Sequence, residues 1–203
     1  YKGFYIMKYE ISQGQYAEFL NTLTGVSVNN RYPGNFDSYR NRLKGPGTYP
    51  LGFNSDRPYR AQNYLSFIDL LAYLDWAWLR PMSEFEYEKS CRGPNAAVVD
   101  EYSWGNTTLR AMGAASIGGQ EDGTEIAVGS PAPNCGYSTA DLNTGDGVGG
   151  ATATTKRGPF RCGLFANVNT TTRLETGASY YGVMELTGNV WEWTMQATAT
   201  STF

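Results

Sequence analysis

Three stretches of the chain place apolar side chains at helical spacing behind a polar start signal. In each, a serine is followed three residues later by a side chain that can return a hydrogen bond to the serine main chain, which is a capping box. The pairs are Ser12 with Gln15, Ser66 with Asp69, and Ser83 with Glu86. Apolar positions then recur on one face, as at Tyr16, Phe19, Leu20 and Leu23 or at Phe67, Leu70, Leu71 and Leu74. The pattern predicts three helices, the first ended by Gly25 and the third by Gly93 and Pro94.

The rest of the chain has short extended runs and very long irregular stretches. Residues 4–10 are rich in β-formers, and residues 189–194 alternate apolar and polar side chains, so both are predicted strands. Residues 26–64 show neither helical nor strand periodicity, so the sequence predicts one long, elaborated loop. Loops of this length are often functional. The sequence predicts a single α+β domain over residues 1–203, with two or three helices, short strands and long loops.

Composition removes several classes of function. The chain has no histidine, which excludes Ser–His–Asp and Cys–His nucleophile systems and histidine-ligated metal centres. Its net charge of −3 comes from scattered groups without a basic stripe, so we expect no nucleic-acid partner. The longest apolar run, residues 67–79, is interrupted by Asp69 and Asp75, so we expect no membrane span.

The three cysteines, Cys91, Cys135 and Cys162, show no zinc-ligand spacing. Cys91 reads as a small buried residue on the third helix. Cys135 and Cys162 flank one long loop, and a disulfide between them would restrict the unfolded chain. The alternative is that both remain thiols.

The long loop of residues 26–64 alternates tyrosine and arginine, the residue types that contribute most energy to protein interfaces. The candidate interface residues are Tyr32, Tyr39, Arg40, Tyr49 and Tyr59. The alternative is that the tyrosines pack this loop onto the domain and that the arginines pair with carboxylates.

Several segments, in order along the chain, resemble the formylglycine-generating-enzyme (sulfatase-modifying-factor) family. They read FYIMKYEISQGQYAEFLN at 4–21, LRPMSEFEYEKSCRG at 79–93, YSWGN at 102–106 and YGVMELTGNVWEWT at 181–194. The resemblance covers nearly the whole chain and implies a C-type-lectin-like fold. It also implies that the closing C-terminal strands of the family are missing from these 203 residues, so either the sequence is a fragment or another chain supplies them.

The catalytic branches of the family need residues that this chain lacks. The copper-dependent generators carry a reactive cysteine pair after the Trp-Glu-Trp motif, and the iron-dependent sulfoxide synthases use histidines. The chain has neither, so the resemblance implies a non-catalytic member. The style of the motifs is similar to that of extracytoplasmic proteins of the Bacteroidota.

The resemblance also implies calcium, which takes six to eight oxygen ligands. Carried over from the family, one site would use the side chains of Glu185 and Glu192 and the carbonyls of Gly188 and Val190. A second site would begin at Asn167 and Val168, with Glu175 as its acidic candidate.

Three functions follow as expectations. The first is an extracellular or cell-surface structural or adhesive domain that joins a protein partner or its own copies in an assembly or filament, with calcium-stabilised loops. The second is a ligand-binding display module, like the variable proteins of diversity-generating retroelements or phage receptor binders, for a glycan or another surface ligand. The third is a fragment of a formylglycine-generating oxidase, which is disfavoured because the chain has no histidine and no cysteine pair after the Trp-Glu-Trp motif.

Overall fold

The computed structural model describes residues 3–46, 52–112, 117–118, 122–136 and 158–196. Five helices lie in these ranges: α1 (Gln13–Thr22), α2 (Val26–Arg31), α3 (Phe67–Trp76), α4 (Glu84–Arg92) and α5 (Arg173–Thr176). Four two-residue strands accompany them: β1 (Leu43–Lys44), β2 (Asn54–Ser55), β3 (Ile117–Gly118) and β4 (Ile126–Ala127). Most of the described chain is therefore loop.

The three predicted helices are confirmed as α1, α3 and α4. Each begins with the expected capping box, in which the serine hydroxyl accepts from the third helical N–H and that residue's side chain accepts from the serine N–H. Gly93 ends α4 with a φ of 68°, in the left-handed region that suits glycine. The prediction for Gly25 is wrong, because α1 ends at Thr22 and Gly25 is instead the residue before α2.

The main core forms where α1 lies against α3. Phe19 of α1 is 1% exposed, and its ring centroid is 5.7 Å from those of both Tyr73 and Trp76 of α3. Tyr16 also packs on Phe19 and Tyr73, with centroids 5.4 and 6.0 Å away. Tilted and edge-on aromatic contacts of this kind are favourable beyond their buried area. A second cluster consists of Met112, Ala127, Phe160, Leu164 and Phe165.

The stretch of residues 26–64, predicted as one loop, contains α2 and the antiparallel pair β1–β2, in which Leu43 lies opposite Ser55. A buried amide seats this stretch on the first helix. Gln13 donates from Nε2 to the carbonyls of Arg40 (3.2 Å) and Ala61 (3.4 Å), and its Oε1 accepts from Arg42 N (3.0 Å). Because a buried amide must be satisfied, this glutamine helps to fix where the loop lies.

Neither predicted strand forms among the described residues. Residues 4–10 make single hydrogen bonds to separate segments, such as the one from Met184 N to Lys8 O (2.9 Å), and a strand needs a continuous partner. Residues 189–194 are extended, and only the next residue, Met195, forms a bridge, to Ser83. None of the described helices is long and apolar enough to cross a membrane.

Candidate functional site

Three glutamates lie close enough to interact electrostatically: Glu10, Glu185 and Glu192, which we call the acid cluster. Glu185 is 4% exposed, while Glu10 and Glu192 are half-buried residues whose carboxyl groups are surrounded by protein. Burial raises the pKa of Glu185 to about 7 and that of Glu192 to about 8. Burial, followed by repulsion from Glu185 and Glu192, raises the pKa of Glu10 well above its usual value. Three carboxyl groups therefore share one poorly solvated region.

Two oxygens of the acid cluster lack a hydrogen-bond partner. Glu185 accepts from Gly163 N through Oε1 (2.8 Å), but its Oε2 is buried without a partner in the described part of the chain. The same holds for Oε1 of Glu192. Leaving a charged acceptor unsatisfied in the interior costs on the order of 1–3 kcal/mol or more. A cation or a proton at these oxygens would remove that cost.

The turn between the two orphaned oxygens contains the other two predicted ligand residues, Gly188 and Val190. Gly188 and Asn189 both have left-handed φ values, 92° and 62°, which fold the chain tightly between Glu185 and Glu192. Within the described residues, no group of three or more His, Cys, Asp or Glu side chains could hold a metal ion. Two carboxylates with the carbonyls of Gly188 and Val190 remain a suitable oxygen set for calcium, and the orphaned oxygens fit it.

The second predicted calcium site finds less support in the arrangement of its residues. Asn167 Oδ1 accepts from Asn169 N (2.9 Å) within its own turn, and Val168 is 96% exposed. Glu175 accepts from the N–H groups of Thr171 and Thr172, so its carboxylate caps α5, and these bonds lower its pKa. The acidic candidate is already engaged in helix capping.

A groove of about 1330 Å³ runs beside the acid cluster. The N-terminal segment of residues 4–11 forms one wall, and the segment from Asn189 to Trp193 lines it as well. Leu70 and Leu74 of α3, together with Met184 and Leu186, are among the apolar residues inside it. Two tryptophans on its lining are nearly fully exposed, Trp78 at 95% and Trp191 at 91%.

Aromatic residues with strained backbones line the same groove. Tyr39, Tyr64 and Trp78 have φ values of 45°, 62° and 59°, and all three contribute to its lining. A bulky side chain rarely adopts positive φ, and such strain costs on the order of 1–3 kcal/mol per residue. Strain of this kind concentrates at binding sites, where the surrounding structure holds it in place. The groove thus has the features of a built binding surface.

The main chain along one edge of the groove is open. Among the described residues, the main-chain N–H and C=O groups of Trp191, Trp193 and Thr194 make no hydrogen bond. The segment is extended until Met195, where Met195 N donates to Met82 O (2.8 Å). An extended segment with unpaired polar groups is a template for pairing with another strand.

The predicted interface residues lie in different environments. Tyr39 lines the groove, with its ring 6.4 Å from that of Tyr64. Tyr32 packs on Phe53 and donates to Leu43 O (3.3 Å), so it seats the loop. Arg40 is 2% exposed and donates from Nε to Pro159 O (3.0 Å), which makes it a core residue. Tyr59 is 53% exposed but does not line the groove, and Tyr49 lies outside the described residues.

The predicted disulfide is not formed in the structure. Cys135 and Cys162, both within the described ranges, are not bonded to each other. The Cys162 thiol donates to Glu10 O (3.4 Å), and burial together with repulsion from Glu10 and Glu185 raises its pKa. Burial likewise raises the pKa of Cys91 to about 12. At neutral pH both thiols are protonated, which makes them poor nucleophiles.

A known protein family matches nearly the whole chain. The model of the sulfatase-modifying factor enzyme 1-like domain matches residues 1–202. The chain belongs to this family. No curated protein and no solved structure matches it. The family has a C-type-lectin-like fold, so the predicted family and the predicted α+β fold class are both confirmed.

Within this sulfatase-modifying-factor-like domain, sequence reasoning missed Glu10 and most of the groove. The available signal for Glu10 was an acidic residue near the end of a run, residues 4–11, in which every other residue except Lys8 is apolar or aromatic. Trp78 gave no signal, because its role depends on a left-handed backbone just after α3. Glu10 acts through a contact with Val190, 180 residues away in the chain.

Proposed function

We propose that this chain is a non-catalytic structural or adhesive domain of the cell surface, which assembles with its own copies through the groove and is stabilised by calcium at the acid cluster. The observation that carries the proposal is the open apolar groove with Trp78 and Trp191 exposed on it. Exposed tryptophans beside an apolar groove are typical of an interaction site, because tryptophan is among the residues enriched at interface hot spots. The raised thiol pKa values and the absence of histidine in the sequence support a non-catalytic role.

The charge of the groove favours an uncharged occupant. Four charged residues of the described chain line it: Arg80 and Glu86 pair with each other through two hydrogen bonds, and Glu10 and Glu192 belong to the acid cluster, where bound calcium would offset their charge. Burying an unpaired charge against the leucine and methionine side chains would be costly. The occupant is therefore an extended apolar segment whose main chain pairs with residues 191–194.

The chain itself carries such a segment away from the groove. Residues 96–99, read Ala-Ala-Val-Val, are exposed, uncharged and apolar, with Val99 82% exposed, and none of them lines the groove. If this run enters the groove of a second copy, the contact is head-to-tail and can repeat. Contacts of that type build open filaments unless the rotation closes them into rings.

Sedimentation velocity over a concentration series tests the self-assembly. We expect the wild-type chain to form concentration-dependent oligomers, and Trp191→Ser to shift the association constant by at least about tenfold, because a buried tryptophan contributes strongly to an interface. Phe85→Ser is the matched control, since Phe85 is 66% exposed but does not line the groove.

Complementation sharpens the test. Val99→Asp and Trp191→Ser each remove one half of the proposed contact, so each variant alone should be monomeric while their mixture should form a dimer. A wild-type chain that stays monomeric throughout, or a Trp191→Ser variant that associates like the Phe85→Ser control, would overturn self-assembly through the groove.

A further inference from the structure

Glu10 joins the acid cluster to the groove wall. Its carboxylate accepts a hydrogen bond from Asn189 Nδ2 through one oxygen and from Val190 N (3.1 Å) through the other. Asn189 and Val190 belong to the turn that would supply carbonyl ligands to calcium. Glu10 itself lies in the N-terminal segment, which forms a wall of the groove.

Few hydrogen bonds other than those of Glu10 hold this wall. Lys8 O accepts from Met184 N (2.9 Å), Ile11 O accepts from Gln62 N (2.7 Å), and Glu10 O accepts the long bond from Cys162. Residues 3–11 include no helix or strand, so no internal ladder stiffens them. Hydrogen bonds to a charged group are about twice as strong as neutral ones, so the two bonds of Glu10 contribute strongly to the attachment when its carboxyl group is ionised.

We propose that Glu10 is a positioning residue that transmits cation binding at Glu185 and Glu192 to the N-terminal wall of the groove. The inference rests on the calcium site proposed above. A cation that takes the Gly188 and Val190 carbonyls fixes the turn, and the turn carries both donors to Glu10. Glu10 lies close enough to Glu185 and Glu192 to be repelled by both, and a divalent cation between them replaces this repulsion with attraction.

The orphaned oxygens give the inference an observation independent of Glu10. Oε2 of Glu185 is buried, unpartnered in the described chain, and belongs to a residue that is 4% exposed. It is therefore available to bind a cation in the acid cluster. The wall formed by residues 3–11 is then the part of the groove whose order depends on the bound cation.

Hydrogen exchange by mass spectrometry, with and without calcium chloride, tests the coupling. In the wild-type chain we expect calcium to slow exchange by about tenfold or more in peptides from 184–194 and from 3–11. In Glu10→Gln, calcium should still protect 184–194 but should leave 3–11 nearly unchanged. Glu18→Gln, an exposed glutamate of α1, is the control and should behave like wild type.

The possible results distinguish failure of the coupling from failure of the calcium site on which the coupling rests. Protection of both peptides in Glu10→Gln would overturn the coupling and leave the calcium site standing. Loss of protection in both would make Glu10 a ligand, and would also overturn transmission. No protection in the wild-type chain would remove the calcium site and the coupling together, whereas self-assembly is decided by sedimentation. If Glu10→Gln does not fold, Glu10→Asp, which keeps the charge but is too short to reach both donors, is measured in its place with the same expectation.

Discussion

In the presence of a chelator, we expect the protein to lose stability as the pH rises from about 5 to about 8, and calcium to restore what is lost. The folded-state pKa values of Glu185 and Glu192 are raised to about 7 and about 8, above the usual value of 4.5. A raised pKa means that the folded state binds the proton more tightly than the unfolded chain. That contribution is complete below pH 4.5 and disappears as the pH passes through the folded-state values.

The expected change is large. Each tenfold difference in proton affinity is worth about 1.4 kcal/mol, so the two carboxyl groups together account for on the order of several kcal/mol. For a chain of this size that corresponds to a fall in Tm of roughly 10 °C. Melting curves followed by circular dichroism at pH 5, 7 and 8, in chelator and in excess calcium, measure it. Magnesium chloride is the control, because its smaller ion demands a near-octahedral shell and keeps its waters.

A matched variant identifies the source of the effect. Glu192→Gln removes one of the repelling carboxyl groups, so in chelator at pH 8 it should be more stable than wild type and should no longer respond to calcium. A Tm that stays level or rises between pH 5 and pH 8 in chelator would contradict the assignment. So would identical Tm values with and without calcium at pH 8.

The second large effect is expected at Gly177, where alanine should cost about 2–5 kcal/mol of unfolding free energy. Gly177 ends α5 with a φ of 66°, a conformation that costs alanine about 1–2 kcal/mol. A Cβ there would also lie 2.1 Å from Asn134 O. Asn134 cannot move aside easily, because it donates to Arg110 O and to Leu174 O (both 2.9 Å), and overpacking of this kind costs about 1–3 kcal/mol more.

Gly182 provides the control for this effect. Its φ is 79°, yet a Cβ there would meet no atom within 4 Å. Gly182→Ala should therefore show only the conformational cost, about 1–2 kcal/mol. Urea unfolding of both variants in calcium gives the two free energies. Equal losses would show that the contact with Asn134 O carries no penalty.

The sequence was sufficient wherever the physics is local. Helices α1, α3 and α4 were predicted correctly because a serine and the side chain three residues later satisfy the first N–H groups without help from the rest of the chain. The strands predicted at 4–10 and 189–194 were wrong for the converse reason. β-propensity indicates only that a segment suits a sheet, and a partner must then come from elsewhere in the chain.

The candidate site was predicted only where a motif marks it. The turn from Glu185 to Glu192 was found by resemblance, and the structure places two buried, orphaned oxygens there. Glu10 joins that turn from about 180 residues away in the sequence, a contact that no local pattern encodes. The groove depends on left-handed backbones at Tyr39, Tyr64 and Trp78, which side-chain periodicity cannot reveal.

The capping boxes also bear on how a fold with so much loop can change over evolution. Four described helices, α1, α3, α4 and α5, carry their own start signal within four consecutive residues. Insertions or deletions between them leave those signals intact, and doubling a flexible loop costs only about 0.6 kcal/mol. The helices therefore act as fixed anchor points, and the loops between them can be exchanged in length and sequence to give surfaces with new specificity on an unchanged frame.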